Sequence, residues 1–215
     1  LEFYDEPYRL FIQLYEMNIR NIEFHNKEVL EVGSGRGGGA SWVARTMNPS
    51  SLTGVDFSGE AVSLSKKWYD KQENLNFIEG NAEDLPFPDS SFDIVYNVES
   101  SHCYGNMSKF INEAFRILKP GGNFCWTDFR DDKTMKLTNQ LFLDSGFKIV
   151  SKREITKEVL TALDSINEAK KERINELVPK TIRRSFETFA GIEGTPVYEA
   201  FKNQKLKYFS YQMTK

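Results

Sequence analysis

Residues 97–105, "NVESSHCYG", gather an imidazole, a carboxylate, a thiol and a phenol in one short stretch. A neutral imidazole can take the proton from a hydroxyl as that oxygen turns into a nucleophile, so His102 is the candidate general base. Glu99 could orient the ring and Tyr104 could steer the hydroxyl. The plainer alternative is that all three are hydrogen-bonded loop residues that only shape a pocket. His25, the other histidine of the chain, precedes the first strand-like run and reads as structural. Asp128 ends a later strand-like run on the same side and reads as a helix cap. Cys103 and Cys125 fall near the ends of adjacent strand-like runs. They lack the spacing of a metal site, and a reducing compartment leaves them unpaired.

A second constellation is "LEVGSGRGGGASWV", residues 30–43. Gly33, Gly35 and Gly38 match GxGxxG directly after an apolar run and at the opening of a helical one, the context in which glycines admit a nucleotide-like group against the backbone. Free N–H groups at the helix start add to the site. Asp56 follows about 20 residues on, where a carboxylate can accept from both ribose hydroxyls. Charge then selects the cofactor. Glu31 stands just before the loop, and Asp56, Asn81, Glu83 and Glu99 recur at the other strand ends. Such a lining repels a pyrophosphate and welcomes a sulfonium with an amino-acid tail. S-adenosyl-L-methionine, leaving S-adenosyl-L-homocysteine, is favoured over NAD.

To bring these residues together the chain must alternate strands and helices around a mostly parallel sheet. Strand patterns fall at 28–33, 51–58, 75–82, 91–100, 123–129 and 147–155. Between them lie helical patterns at 38–47, 58–72 with a serine cap at Ser58, 107–122 closed by Pro120 and Gly121, and 135–146. A long helical stretch, 156–190, interrupts this rhythm before a seventh strand at the tail. The chain reads as one domain, 1–215, with a helical lid at about 156–203.

At 215 residues with 40% hydrophobic and 13% aromatic composition, a full core is within reach. The formal net charge of −3 offers no field for a phosphate backbone, so nucleic acid is not an expected partner. No apolar run reaches the roughly 20 residues of a membrane span, and Glu2, Asp5 and Glu6 do not resemble a signal peptide. A cytoplasmic location is expected.

The quoted runs "VLEVGSGRGG", "TGVDFS", "GNAEDLPFPDSSFDIVYNVES" and "AFRILKPGG" resemble the successive motifs of class I S-adenosylmethionine-dependent methyltransferases. The stretches "NVESSHCYGN" and "FAGIEGTPVYEAFKNQKLKYFSYQMTK" are similar, more narrowly, to phthiotriolone-type small-molecule O-methyltransferases of mycobacterial lipid synthesis. The resemblance implies a Rossmann-like seven-stranded sheet, mostly parallel with the last strand antiparallel. It also implies that Glu31, Gly33, Ser34 and Gly35 hold the methionine moiety and Asp56 the ribose. Phe57 would pack on the adenine and Asn81 and Ala82 would meet its edge, with Glu83 among the cofactor-binding residues. Asn81 stands where the family usually has aspartate, and its amide oxygen can still accept from the adenine amino group. Asn97 and Val98 would line the methionine side, and Tyr4 and Tyr8 would fold over the cofactor.

The lid would carry the acceptor pocket, its apolar side including Val159, Leu163, Ile166, Leu177, Phe186 and Phe189. A greasy or aromatic acceptor suits such a surface better than a sugar. The expected activity is therefore O-methylation of a small, apolar or lipid-like metabolite with His102 as base. An N- or C-methyltransferase, a non-catalytic S-adenosylmethionine-binding module and an NAD-dependent oxidoreductase are the alternatives on the same fold. Neither the acceptor nor the oligomeric state is readable at this level.

Overall fold

The computed structural model describes residues 3–215, with the side chains of Phe3 and Tyr4 outside the described residues. Helix α1 (Arg9–Ile19) leads into β1 (Glu28–Val32), α2 (Gly38–Met47), β2 (Ser51–Asp56), α3 (Gly59–Trp68) and β3 (Leu75–Glu79). Then follow β4 (Phe92–Val98), α4 (Met107–Ile117), β5 (Leu118–Arg130), α5 (Asp132–Asp144) and β6 (Lys148–Glu154). Helices α6 (Thr156–Leu177), α7 (Arg183–Phe189) and α8 (Pro196–Lys202) precede β7 (Lys207–Thr214). The seven strands form one sheet in the order β3-β2-β1-β4-β5-β7-β6, parallel from β3 to β5 and antiparallel around β7. This is the expected Rossmann-like α/β architecture.

Strands β1 and β4 are buried along almost their whole length because helices cover both faces of the sheet. Register pairs Glu31 with Tyr96 and Asn97 with Trp126, so alternation puts the first pair on one face and the second on the other. On the Glu31 face, Ile12 and Ile19 of α1 and Val43 of α2 join Val29, Ile94 and Cys125 in one core. On the other, the rings of Tyr104, Phe110, Phe124 and Phe142 meet edge to face, with centroids 4.9, 5.9 and 6.1 Å apart in turn.

Ser58 caps α3 as its sequence predicts, its hydroxyl accepting from Ala61 N at 3.2 Å. Helix α4, in contrast, stops at Ile117 instead of running on to Pro120 and Gly121, and Leu118 already belongs to β5. Leu118 pairs with Phe92 while Asn123 pairs with Ile94, so residues 119–122 bulge out of the ladder. Gly121 takes φ 77° there. Its N–H donates to Lys215 O at 3.1 Å, and Lys215 N–H donates to Gly122 O at 3.0 Å. Lys215 thus closes the bulge, a partner the local pattern does not announce.

The described residues divide into two compact units. One comprises the described residues up to Asp128 with Lys136–Arg153 and Ser210–Lys215; the other comprises Phe129–Met135 and Glu154–Phe209. The second contains the expected helical insert, but residues 156–190 are not one helix. Val178 is extended at φ −107° and ψ 126° because Pro179 follows it, and the residue before a proline is pushed out of the helical region. Arg183 then donates to Asn175 O at 2.8 Å and Val178 O at 3.1 Å, satisfying carbonyls that the broken helix leaves open. Among the described residues, no helix is long and apolar enough to cross a membrane.

Candidate active site

Strand β1 has β2 on one side and β4 on the other, so the chain reverses its winding between β1 and β4. Ligands of open parallel sheets bind beyond the strand ends at such a point. Two segments converge there: the glycine loop after β1 and residues 99–104 after β4.

The glycines serve different ends. A Cβ on Gly33, at φ 77°, would lie 2.2 Å from Ser100 Oγ and 2.8 Å from Tyr104 OH, so the protein itself excludes a side chain there. Gly35 also has positive φ, 53°, yet nothing lies within 4 Å of its Cβ position. Its N–H donates to Asp56 Oδ2 at 2.7 Å, while Asp56 Oδ1 accepts from Ser58 N at 2.9 Å. The carboxylate therefore fixes the open turn against the end of β2, and Phe57 is exposed beside it.

Glu31 lies beneath the loop, wholly buried. Tyr15 OH donates to its Oε1 at 2.7 Å and Tyr96 OH to its Oε2 at 3.1 Å. Burial pushes its carboxyl up to about 7, against the lowering effect of the two phenols. On the other side of the sheet, Asn97 Nδ2 donates to Val32 O at 2.8 Å and reaches Ser100 Oγ at 2.7 Å and Tyr104 OH at 3.1 Å. Burial holds the Tyr104 phenol above its ordinary range, so it stays protonated as a prop under Gly33. Val98 is buried at the end of β4.

Around β3, Asn81 is exposed and its Oδ1 accepts from Glu83 N at 2.9 Å, with Ala82 half-buried between them. Glu83 Oε1 accepts from Asn106 N at 2.8 Å and so ties this turn to the start of α4. Tyr8 is exposed, and the side chain of Tyr4 lies outside the described residues.

His102 sits in a short 3₁₀ turn, Ser101–Cys103, with its side chain 26% exposed. Its Nδ1 lies 2.8 Å from Asp128 Oδ1. Asp128 is wholly buried, and its Oδ2 accepts from Ser101 Oγ at 2.6 Å and from His102 N at 2.8 Å. Trp126 Nε1 donates to Ser101 Oγ at 2.8 Å, so the serine hydroxyl has to pass its own proton to Asp128. This corrects the reading of Asp128 as a helix cap: Asp131 fills that place, accepting from Thr134 N at 2.9 Å. Glu99, the residue expected to orient the ring, is exposed with φ 50°, and its N–H donates to Thr127 O at 2.9 Å. Sequence reasoning missed Asp128, Ser101 and Trp126 as a unit. The available signal was that β4 and β5 are both long apolar runs, which as neighbours would align their polar ends. Tyr15 was missed for want of any local mark.

Cys103 and Cys125 are both free, and burial pushes the Cys125 thiol up to about 12. Among the described residues, no group of three or more His, Cys, Asp or Glu could hold a metal ion.

Residues 30–126 match the family model described as a methyltransferase domain. The whole chain is 36% identical over 215 residues to the phthiotriol/phenolphthiotriol dimycocerosates methyltransferase of Mycobacterium tuberculosis, covering 79% of that protein. The chain belongs to the S-adenosylmethionine-dependent methyltransferases. A fatty-acid O-methyltransferase of Mycolicibacterium smegmatis is 34% identical over 211 residues, 98% of this chain and 76% of that protein. Among solved structures, the cyclopropane synthase MmaA2 of Mycobacterium tuberculosis has the same fold, with a TM-score of 0.83 at 12% identity over 95% of this chain and 84% of that one.

The site of this methyltransferase fits its cofactor, S-adenosylmethionine. Gly35 presents open backbone. Ser34 Oγ and Asn97 Oδ1 are buried without a hydrogen-bond partner, and such atoms gain from a ligand that can bond them. The Asp56 carboxylate suits a ribose better than a phosphate.

Proposed function

We propose that this methyltransferase methylates a hydroxyl of a lipid-like molecule, with His102 as general base and Asp128 as the residue that holds it. The contact between His102 Nδ1 and Asp128 Oδ1 at 2.8 Å carries this reading. Asp128 Oδ2 accepts from Ser101 and the His102 amide, and an ionised carboxylate can only accept, so Oδ1 calls for a proton on the ring nitrogen that faces it. That requirement puts the imidazole proton on Nδ1 and leaves the Nε2 lone pair to accept from a hydroxyl. The lipid-like class follows from the relatives, one named for a phthiotriol dimycocerosate and one for a fatty acid.

S-adenosylmethionine supplies an activated methyl group and a good leaving group. The chain's part is to hold both reactants with water excluded and to remove one proton. Asp56 would bind the ribose, with Phe57, Asn81, Ala82 and Glu83 around the adenine. The backbone of Gly33, Ser34 and Gly35 would take the methionine end, with Asn97, Val98 and Glu31 behind it and Tyr4 and Tyr8 over it. A hydroxyl acceptor needs His102; a carboxylate, as in fatty-acid O-methylation, is already ionised and does not.

His102→Ala tests the proposal with two acceptors, a long-chain alcohol and a fatty acid. The alcohol rate is expected to fall by about 10²- to 10⁴-fold with cofactor affinity unchanged. A near-normal alcohol rate excludes the general base, and activity on the fatty acid alone makes this a carboxyl methyltransferase.

A further inference from the structure

We propose that Tyr15 is a positioning residue for the cofactor: seated in a notch left by Gly39, it keeps Glu31 charged for the cationic end of S-adenosylmethionine. Gly39 falls outside the GxGxxG spacing of the loop. It lies inside α2, and unlike Gly33, Gly35 and Gly37 it has no positive φ. Alanine makes the better helix at such a position. A Cβ there, however, would lie 2.0 Å from Tyr15 Cζ and 2.3 Å from its hydroxyl oxygen. The absent side chain is what admits the phenol.

The phenol in turn serves Glu31. Tyr15 OH donates to Glu31 Oε1 at 2.7 Å and Tyr96 OH to Oε2 at 3.1 Å, and the two rings meet edge to face with centroids 6.3 Å apart. Strand register already sets Tyr96 beside Glu31, whereas Tyr15 arrives from a separate helix. Asp56 of β2 also acts on the carboxyl and disfavours its charge, the Ala40 amide of α2 favours it, and Glu99 acts on Tyr15. Burial raises both phenols well above their ordinary range, so they stay donors. Burial also raises the Glu31 carboxyl to about 7, and the phenols hold it down against that pull. Without Tyr15 OH the carboxyl would rise further and be protonated at neutral pH. A sulfonium with an ammonium tail then loses its counter-charge. This rests on the reading of Glu31 as part of the methionine site.

The test is calorimetry of S-adenosylmethionine binding to the full chain between pH 5.5 and 8.5, with each variant compared with the unaltered chain at the same pH so that the cofactor's own titration cancels. Tyr15→Phe, which keeps the ring, should bind more weakly by about tenfold at pH 5.5 and about fivefold at pH 7, with little difference left at pH 8.5. Gly39→Ala should reproduce that profile by displacing the ring, and the double variant should be no worse than either alone. Glu31→Gln should show the opposite trend, its deficit growing as pH rises. Thermal melts check that the variants are folded. A Tyr15→Phe deficit that is absent or constant across pH, beside a Glu31→Gln deficit that grows, would overturn the role of Tyr15 and leave Glu31 in the site. Normal binding by Glu31→Gln at every pH would remove Glu31 from the site and the role of Tyr15 with it.

Discussion

Buried Asp128 accepts from Ser101 and the His102 amide and faces the imidazole, and replacing one of its oxygens by an amide nitrogen has a definite expected outcome. Ser101 and the His102 amide both donate to Oδ2, so in Asp128→Asn the surviving oxygen has to face them. The new NH₂ then points at His102 Nδ1 and drives the imidazole proton to Nε2, where the base should be. We expect kcat on an alcohol to fall by about 10²- to 10⁴-fold, with little change on a fatty acid, read from steady-state rates on the two acceptors. Equal losses on both would mean that Asp128 only supports the fold. Glu31 gives a second residue-scale prediction. Its carboxyl is raised from 4.5 to about 7 by burial, so between those values the folded protein binds more protons than the unfolded chain. Stability present below pH 4.5 is therefore lost as pH rises to about 7, by about 3 kcal/mol. Glu31→Gln should flatten that slope in thermal melts from acid to neutral pH. The imidazole and the glutamate were both legible as single letters, whereas their partners were not. Asp128 stands 26 residues from His102 and Tyr15 stands 16 from Glu31, and only the fold brings each pair together.

At the scale of elements, the glycine loop separates what the fold needs from what the ligand needs. Gly33→Ala places a methyl 2.2 Å from Ser100 Oγ at φ 77°, so it should cost about 2–3 kcal/mol of stability and disturb Tyr104 as well. Gly35→Ala meets no neighbour within 4 Å; it should cost only the left-handed backbone, about 1–2 kcal/mol. It should nevertheless weaken S-adenosylmethionine by about tenfold or more, because the methyl enters the open side of the turn. Thermal melts beside calorimetry distinguish the two, and a Gly35→Ala protein that binds normally would remove that residue from the cofactor site. The strand–helix alternation was legible because short strand runs rich in β-branched and aromatic residues are separated by longer amphipathic ones. Two boundaries were not. The end of α4 depends on pairing with Phe92 and on Lys215, neither of which the run "ILKPGG" contains. The break after Leu177 was in plain view as Pro179, but the apolar spacing on either side of it masked the stop.

Taken whole, the molecule has a strand order that no local pattern contains: β7 slips between β5 and β6, and only resemblance anticipated that its direction would reverse. The summed charge, by contrast, is legible from composition alone. An acid-rich chain with Glu31 buried under the loop and Asp56 beside it should discriminate between two nucleoside cofactors that share a ribose and an adenine. S-adenosylmethionine at a hundred times its dissociation constant should stabilise the native state by about 2.7 kcal/mol, which for a chain of this size raises Tm by about 5–10 °C. NAD at the same concentration should leave Tm unmoved, since its pyrophosphate would meet Asp56 across the open turn at Gly35. Differential scanning calorimetry with each cofactor decides it. A shift with NAD equal to that with S-adenosylmethionine would show that the glycine loop binds adenosine alone and that the acidic lining selects nothing.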